Sequence, residues 1–381
     1  MILGIDASNI RGGGGITHLS ALLRNAQPER FGFERVIIWG GRNTLESLDG
    51  KPWLKIVHEP WLDKNILYRS FWQKFILPRR IRNSGASVVF FPGGLIRIAK
   101  GPWITMSQNL LPFEPGEIKR YPMGLGRLRL MLLRGQQLAA FRKSRGTIFL
   151  SNYARDVVTA LMPDFRIRSK IIPHGLERRF FASAARPQRD YNRTTAIKLC
   201  YVSFIGEYKH QWNLIRAVRQ LRLKGWALEL DLVGNPVDPG AIAKVRQAMS
   251  EDPGATDYVR IISDVRHRDI HEVYQSADVF VFLSSCETFG QILIEGMAAG
   301  VPVLCSRLSS LPEIGQSAVA YTDPLSVGAI ASDLEKLLLD KDLRVELSKA
   351  AIARAAEFSW ETTANLTFEF FQSISGDEYE R

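Results

Sequence analysis

The chain has only three cysteines in 381 residues, Cys200, Cys286 and Cys305. They are odd in number, lie in or beside apolar runs and have no metal-ligand spacing, which argues against a disulfide framework or a zinc ribbon. No apolar run approaches the roughly 20 residues needed to cross a bilayer. Met1-Ile2-Leu3-Gly4-Ile5-Asp6 lacks the charged n-region and long h-region of a signal peptide. The expectation is a cytoplasmic protein. The glycine run Gly12-Gly13-Gly14-Gly15 is not followed by the Gly-Lys-Ser/Thr of a P-loop. Aromatic residues are scattered instead of forming a stacking platform, and no nucleic-acid-binding motif accompanies the positive charge, so no nucleic acid partner is expected.

Acidic residues are scarce in one half only. The net charge is +11, but residues 1–186 hold 30 Lys+Arg against 12 Asp+Glu (+18), whereas residues 187–381 hold 20 against 27 (−7). The first half therefore calls for a polyanionic partner, and an anionic membrane face fits better than nucleic acid. Between Lys119 and Arg145 eight basic residues and no acidic one alternate with Leu125, Leu128, Met131, Leu132 and other apolar residues. Part of this run reads as a basic amphipathic helix, lying on anionic headgroups or closing the core of its own domain. Lys74, Arg79, Arg80 and Arg82 extend the same basic character.

At 381 residues, 46% of them hydrophobic, the chain is long enough for two cores. Short apolar runs at 2–5, 35–39, 54–58, 88–91, 103–106 and 147–150 alternate with helical segments at 16–25 and 66–82, the pattern of a doubly wound parallel sheet. A polar, turn-rich stretch at 186–195 reads as the linker. Past it the alternation resumes, with strands at 198–204, 228–233, 259–262, 279–283 and 318–321 and helices at 326–339, 342–358 and 360–374. The expected domains are 1–186, with the last helix packing back on it, and 187–359.

The segment 278–302, DVFVFLSSCETFGQILIEGMAAGVP, organises the second half. A buried strand, a loop and a helix follow one another. Thr288 and Gln291 have the spacing of a capping box, and Gly300 suits a left-handed C-cap. The helix start offers free N–H groups and the positive end of a dipole to a phosphate. Glu287 stands just outside that end. Glu295 lies about two turns in, on a face so apolar that its carboxylate needs a partner, for which a ribose diol is suited.

This string resembles the signature of retaining family 4 glycosyltransferases with the GT-B fold, in which Glu-x7-Glu with an intervening Phe-Gly holds the donor sugar and its nucleotide. The likeness rests on Glu287, Phe289, Gly290 and Glu295 and continues through Val301-Pro302-Val303-Leu304 and Leu311-Pro312-Glu313-Ile314. It implies two Rossmann-like domains facing a cleft. It also implies a nucleotide diphosphate sugar as co-substrate, GDP- or UDP-linked, with no further cofactor and no metal. The resemblance is to transferases of the bacterial cell-surface glycan type, and the basic first half points to a lipid-linked or lipopolysaccharide- or capsule-type glycan as acceptor, at the inner face of the cytoplasmic membrane.

By the same resemblance Glu287 holds donor-sugar hydroxyls. Lys209 and the amides of Phe289, Gly290 and Gln291, beside Thr288, hold the diphosphate; Glu295 holds ribose; Val265 touches the base. Gly14 and Gly15 of the glycine loop and Asn109 complete the set. Two positions depart from the family pattern. Phe204 stands where an arginine is usual, and Gln108-Asn109 replace a His-Asp pair; an amide binds a sugar hydroxyl but is no base at neutral pH. Asp340-Lys341-Asp342 spells the Asp-x-Asp of metal-dependent transferases, yet it lies between two helices, where capping explains it. Two rival readings stay open: a non-catalytic sugar-nucleotide-binding or scaffold protein, and a nucleotide-sugar epimerase on the same fold.

Overall fold

The computed structural model describes residues 1–99, 101–182 and 187–375, with the side chain of His267 excepted. Arg186 of the expected linker and the acidic run Asp377–Glu380 lie outside the described residues. The chain forms two compact units. The first comprises 1–114, 122–175 and 359–381; the second comprises 115–121 and 176–358. The chain thus passes into the second unit after Gly175, upstream of the polar stretch at 186–195.

The first unit is built on seven parallel strands: β1 (Ile2–Asp6), β2 (Arg35–Gly40), β3 (Leu54–His58), β4 (Val88–Phe91), β5 (Trp103–Ser107), β6 (Gly146–Phe149) and β7 (Arg168–Ile171). Their order is β3-β2-β1-β4-β5-β6-β7, so the sheet reverses direction of growth between β1 and β4. β4 and β6 are buried along their whole length, which is why β4 reads as a continuous apolar run and not as an alternation. Ile37, Trp39, Trp72, Leu77 and Phe91 share one core cluster, and each such side chain contributes about 1.5–3 kcal/mol by leaving water.

The helical segment expected at 66–82 is not one regular helix. It runs as an α-helix over Ile66–Phe71, a π turn over Trp72–Ile76 and a second α-helix over Leu77–Ser84. Pro78 is the physical reason: it has no N–H to donate to Lys74, and its ring would collide with that carbonyl in a regular helix. The wider turn puts Trp72 and Gln73 in the interior. There the Gln73 amide donates to Asp6 Oδ2 at 2.8 Å and to Ser8 Oγ at 2.7 Å, and the Trp72 indole donates to Glu59 at 3.1 Å.

The basic run forms a helix, Leu125–Lys143, of which only Gln137, Ala140 and Phe141 are buried. Its first half does not close the core, since Met123, Leu125, Leu128, Met131 and Leu132 are all exposed. The last helix, Trp360–Ser375, belongs to the first unit and buries Phe368, Phe370 and Phe371. No described helix is long and apolar enough to cross a membrane.

The second unit has six parallel strands: β8 (Ile197–Val202), β9 (Leu228–Val233), β10 (Val259–Ile262), β11 (Val279–Phe282), β12 (Val303–Ser306) and β13 (Ala320–Thr322). Their order is β10-β9-β8-β11-β12-β13. The chain leaves β8 toward one edge and β11 toward the other, so the loops after these two neighbours part at the carboxyl end of the sheet. That switch point is where open α/β sheets form a ligand crevice. All three cysteines are buried free thiols. Asp340 caps the helix Lys341–Ala355, its carboxylate accepting from Leu343 N–H at 2.8 Å.

Candidate active site

The loops after β8 and β11 carry the central pair of the second unit. Lys209 ends the short 3₁₀ turn Glu207–Lys209, and its ammonium is ion-paired with Glu287. Lys209 is 2% exposed. Its Nζ lies 5.2 Å from the ring centre of Phe204, 5.0 Å from that of Tyr208 and 5.1 Å from that of Phe282. An ammonium so far out of water needs compensation, and here one carboxylate and three aromatic faces supply it. Phe204 is therefore not a neutral loss: where an arginine was expected, an aromatic face positions the remaining cation.

The two loops are pinned to each other. His210, in the left-handed region at φ 55°, bonds Ser285 Oγ through Nε2 at 2.8 Å, and Ser285 N–H donates to Tyr208 O at 2.8 Å. On the far side Glu287 N–H donates to Ser309 Oγ at 2.8 Å, while Ser309 and Ser310 hydroxyls donate back to Glu287 O at 2.9 and 3.0 Å. Ser309 has φ 63°. The backbone of Glu287 is thus fixed from three sides, leaving its side chain to Lys209.

The helix after this loop runs Gln291–Ala298, with Gly290 and not Thr288 at the N-cap position. Gly290 takes the cap at φ 99°, a conformation that glycine adopts without strain. A Cβ there would stand 2.7 Å from Leu311 Cδ2. Gln291 becomes the first helical residue and turns its amide forward to Glu295. The far end follows the expectation, with Gly300 left-handed at φ 69° just past Ala299.

Glu295 is buried at 6% exposure and accepts from Tyr274 O–H at 3.1 Å. Burial is the dominant influence on its carboxyl and raises the pKa to about 7, against the opposing effects of the Tyr274 bond, the Arg179 charge and the Gln291 amide. Tyr274 and Gln291 are thus hydrogen-bonding partners that the protein itself supplies. Tyr274 and Arg179 escape sequence reasoning because neither belongs to a local motif: Tyr274 precedes β11 and Arg179 lies in the short turn Arg178–Phe180. Val265 follows β10 at the same carboxyl end of the sheet, beside Asp264, whose left-handed backbone (φ 61°) is held by an N–H bond to Asn235 at 3.1 Å. Thr288 is partly buried, and Phe289 is buried with its ring 5.4 Å from that of Phe358.

The remaining predicted residues lie in the first unit. Gly13 (φ 58°) caps the helix Gly14–Asn25 without a side-chain bond. Gly14 is open on its Cβ side, whereas a Cβ added at Gly15 would stand 3.6 Å from Gln108 Oε1. The glycine loop and the Gln108-Asn109 loop after β5 thus meet at one end of the first sheet. Asn109 is exposed, and its side chain accepts from Leu111 N–H at 3.2 Å. No group of three or more His, Cys, Asp or Glu side chains able to hold a metal occurs among the described residues.

Comparison with known proteins decides the second unit, where the sequence family "Glycosyl transferases group 1" matches residues 186–354. This region is a glycosyltransferase group 1 domain. Among curated relatives, the O-antigen chain mannosyltransferase B of Escherichia coli is 34% identical over 117 residues, covering 31% of this chain and 31% of that protein. The chain spans less than half the length of the first curated relatives it matches. Sucrose-phosphate synthase from Thermosynechococcus elongatus superposes with a TM-score of 0.75 at 17% identity, over 98% of this chain and 99% of its own. Anabaena HepE, solved with UDP-glucose, gives a TM-score of 0.69 at 15% identity, over 98% of this chain and 99% of its own. The fold carrying the group 1 domain is therefore GT-B.

Proposed function

We propose that the chain is a retaining glycosyltransferase that moves a sugar from a GDP- or UDP-linked donor to a hydroxyl of a lipid-linked, lipopolysaccharide or capsule-type glycan. One observation carries the reading. The group 1 domain places a desolvated ammonium (Lys209), a paired carboxylate (Glu287) and a helix start (Gln291) around the switch point of its sheet. Lys209 and the first amides of that helix take the diphosphate, with no metal in the step. Glu287 takes hydroxyls of the donor sugar, Glu295 the ribose and Val265 the base. The anomeric carbon–phosphate oxygen bond breaks, the acceptor oxygen bonds to the same face of that carbon, and the acceptor proton goes to the departing phosphate oxygen. Gly14, Gly15 and Asn109 are assigned to substrate hydroxyls in the first unit.

Titration of UDP, GDP and their sugar conjugates by calorimetry tests this. One nucleotide should bind, and Lys209→Met should lower turnover by about 10²–10³, the usual effect of losing one positioned electrostatic donor. A folded protein that binds none of them sinks the donor site and favours a scaffold role.

The excess of cations and exposed apolar side chains on the helix Leu125–Lys143 supports attachment to the inner face of the cytoplasmic membrane. Flotation with phosphatidylglycerol vesicles but not with phosphatidylcholine vesicles is the expected result; equal behaviour with both removes that assignment.

A further inference from the structure

Three arginines of the first unit, Arg11, Arg69 and Arg97, are linked by charge, Arg11 and Arg97 both acting on Arg69. Arg69 lies on the helix Ile66–Phe71, Arg11 on the glycine loop and Arg97 on the segment after β4. After burial, the main influences on Arg69 are the charges of Arg11 and Arg97, both repulsive, and together they hold its pKa below the ordinary value. The Nε atoms of Arg69 and Arg97 are buried and have no hydrogen-bond partner, and among the described residues none of the three guanidiniums is in an ion pair. Asp63, the carboxylate near Arg11, is already engaged by Arg42 N–H and His58, each at 2.7 Å. Arg69 and Arg97 are half-buried and Arg11 exposed; a buried, unpartnered N–H donor facing like charges is costly, and an anion would satisfy it.

What flanks the cluster identifies the anion. Arg11 lines a polar hollow of about 280 Å³ with Ser8, Arg42 and Thr44 at the carboxyl ends of β1 and β2. Arg97 lines a different cleft, of about 450 Å³, walled by Phe71 and Phe75 and by Lys74 and Lys143. Polar on one side and apolar with cations on the other, the surroundings match a molecule that is sugar at one end and hydrocarbon at the other. A guanidinium fork suits phosphate oxygens.

We propose, building on the transferase reading above, that Arg11, Arg69 and Arg97 bind the phosphate or diphosphate ester joining the glycan of the acceptor to its lipid. The glycan runs toward the polar hollow and the hydrocarbon along Phe71 and Phe75.

The test uses the full chain with farnesyl diphosphate, farnesol and inorganic pyrophosphate as probes, Arg69→Gln and Arg97→Gln as variants, and UDP and GDP titrated on the same samples. Farnesyl diphosphate should bind at least tenfold more tightly than farnesol and more tightly than pyrophosphate, and each variant should lose at least tenfold for farnesyl diphosphate only. Without probe, each variant should melt no lower than the parent, because a like charge has been removed. The proposal is overturned if farnesol binds as well as the diphosphate, or if both variants bind like the parent. It is also overturned if the variants lose phosphatidylglycerol vesicles to the same degree, which would assign the arginines to bilayer headgroups. Nucleotide binding that persists while farnesyl diphosphate fails leaves the donor reading standing and removes this one alone.

Discussion

Glu295 shows how a single carboxyl reports on its surroundings. Its folded pKa of about 7 exceeds the ordinary 4.5, so the native state holds a proton that the unfolded chain has released. Stability attributable to this group is therefore fully present below about pH 4.5 and falls as pH rises toward 7. Glu295→Gln, which keeps a partner for Tyr274, should leave the melting temperature unchanged at pH 4.5. At pH 8 it should raise stability, by at most about 3 kcal/mol for a shift of this size. Melting curves across that range check it, and a variant that is less stable at pH 8 contradicts the account. Phe204→Arg poses the opposite question. It restores a cation beside Lys209 and removes one ring from it, so nucleotide affinity should rise several-fold at low salt and the gain should shrink as salt is added.

At the scale of elements, the joints between loop and helix decide the site. Gly290→Ala would force a side chain into φ 99° and onto Leu311; a loss of about 1–3 kcal/mol is expected from the backbone strain alone, read by urea unfolding. Gly175→Ala is harsher, because its Cβ would stand 2.2 Å from the backbone nitrogen of Trp360. Rigid backbone cannot yield as a side chain does, so hydrogen exchange along Trp360–Ser375 should accelerate. Much at this scale was legible in the sequence. The strands β3, β4, β9 and β10 have the predicted limits, because β-branched and apolar runs bounded by turn formers leave few alternatives. The Glu-x7-Glu string likewise marked Glu287 and Glu295. What stayed hidden depends on contacts between distant residues. Thr288 and Gln291 have the capping spacing, yet the left-handed Gly290 takes the cap position. Pro78 was visible, but not that a π turn would absorb it. Tyr274, Ser309 and the Arg11–Arg69–Arg97 group come together only once the sheets are ordered.

At the scale of the molecule, charge and ligand response should separate along the two units. Vesicle binding through the basic first half should weaken steeply between about 0.05 and 0.5 M salt, as screening shortens the reach of its charges. Nucleotide, by contrast, should protect amides of the second unit around 203–210 and 285–295 and leave the first sheet unchanged in hydrogen exchange. Protection spread evenly over both units would contradict a donor site confined to the group 1 domain.

The helix Trp360–Ser375 has a bearing on the order of birth. The first unit buries Phe368 and Phe371 among its own residues, but a ribosome delivers them only after the whole of 176–358 has emerged. The unit that begins first is therefore finished last. Until then the nascent chain carries an unclosed apolar surface over its earliest strands, and a pause or premature stop near residue 358 would release a completed second unit joined to an unfinished first.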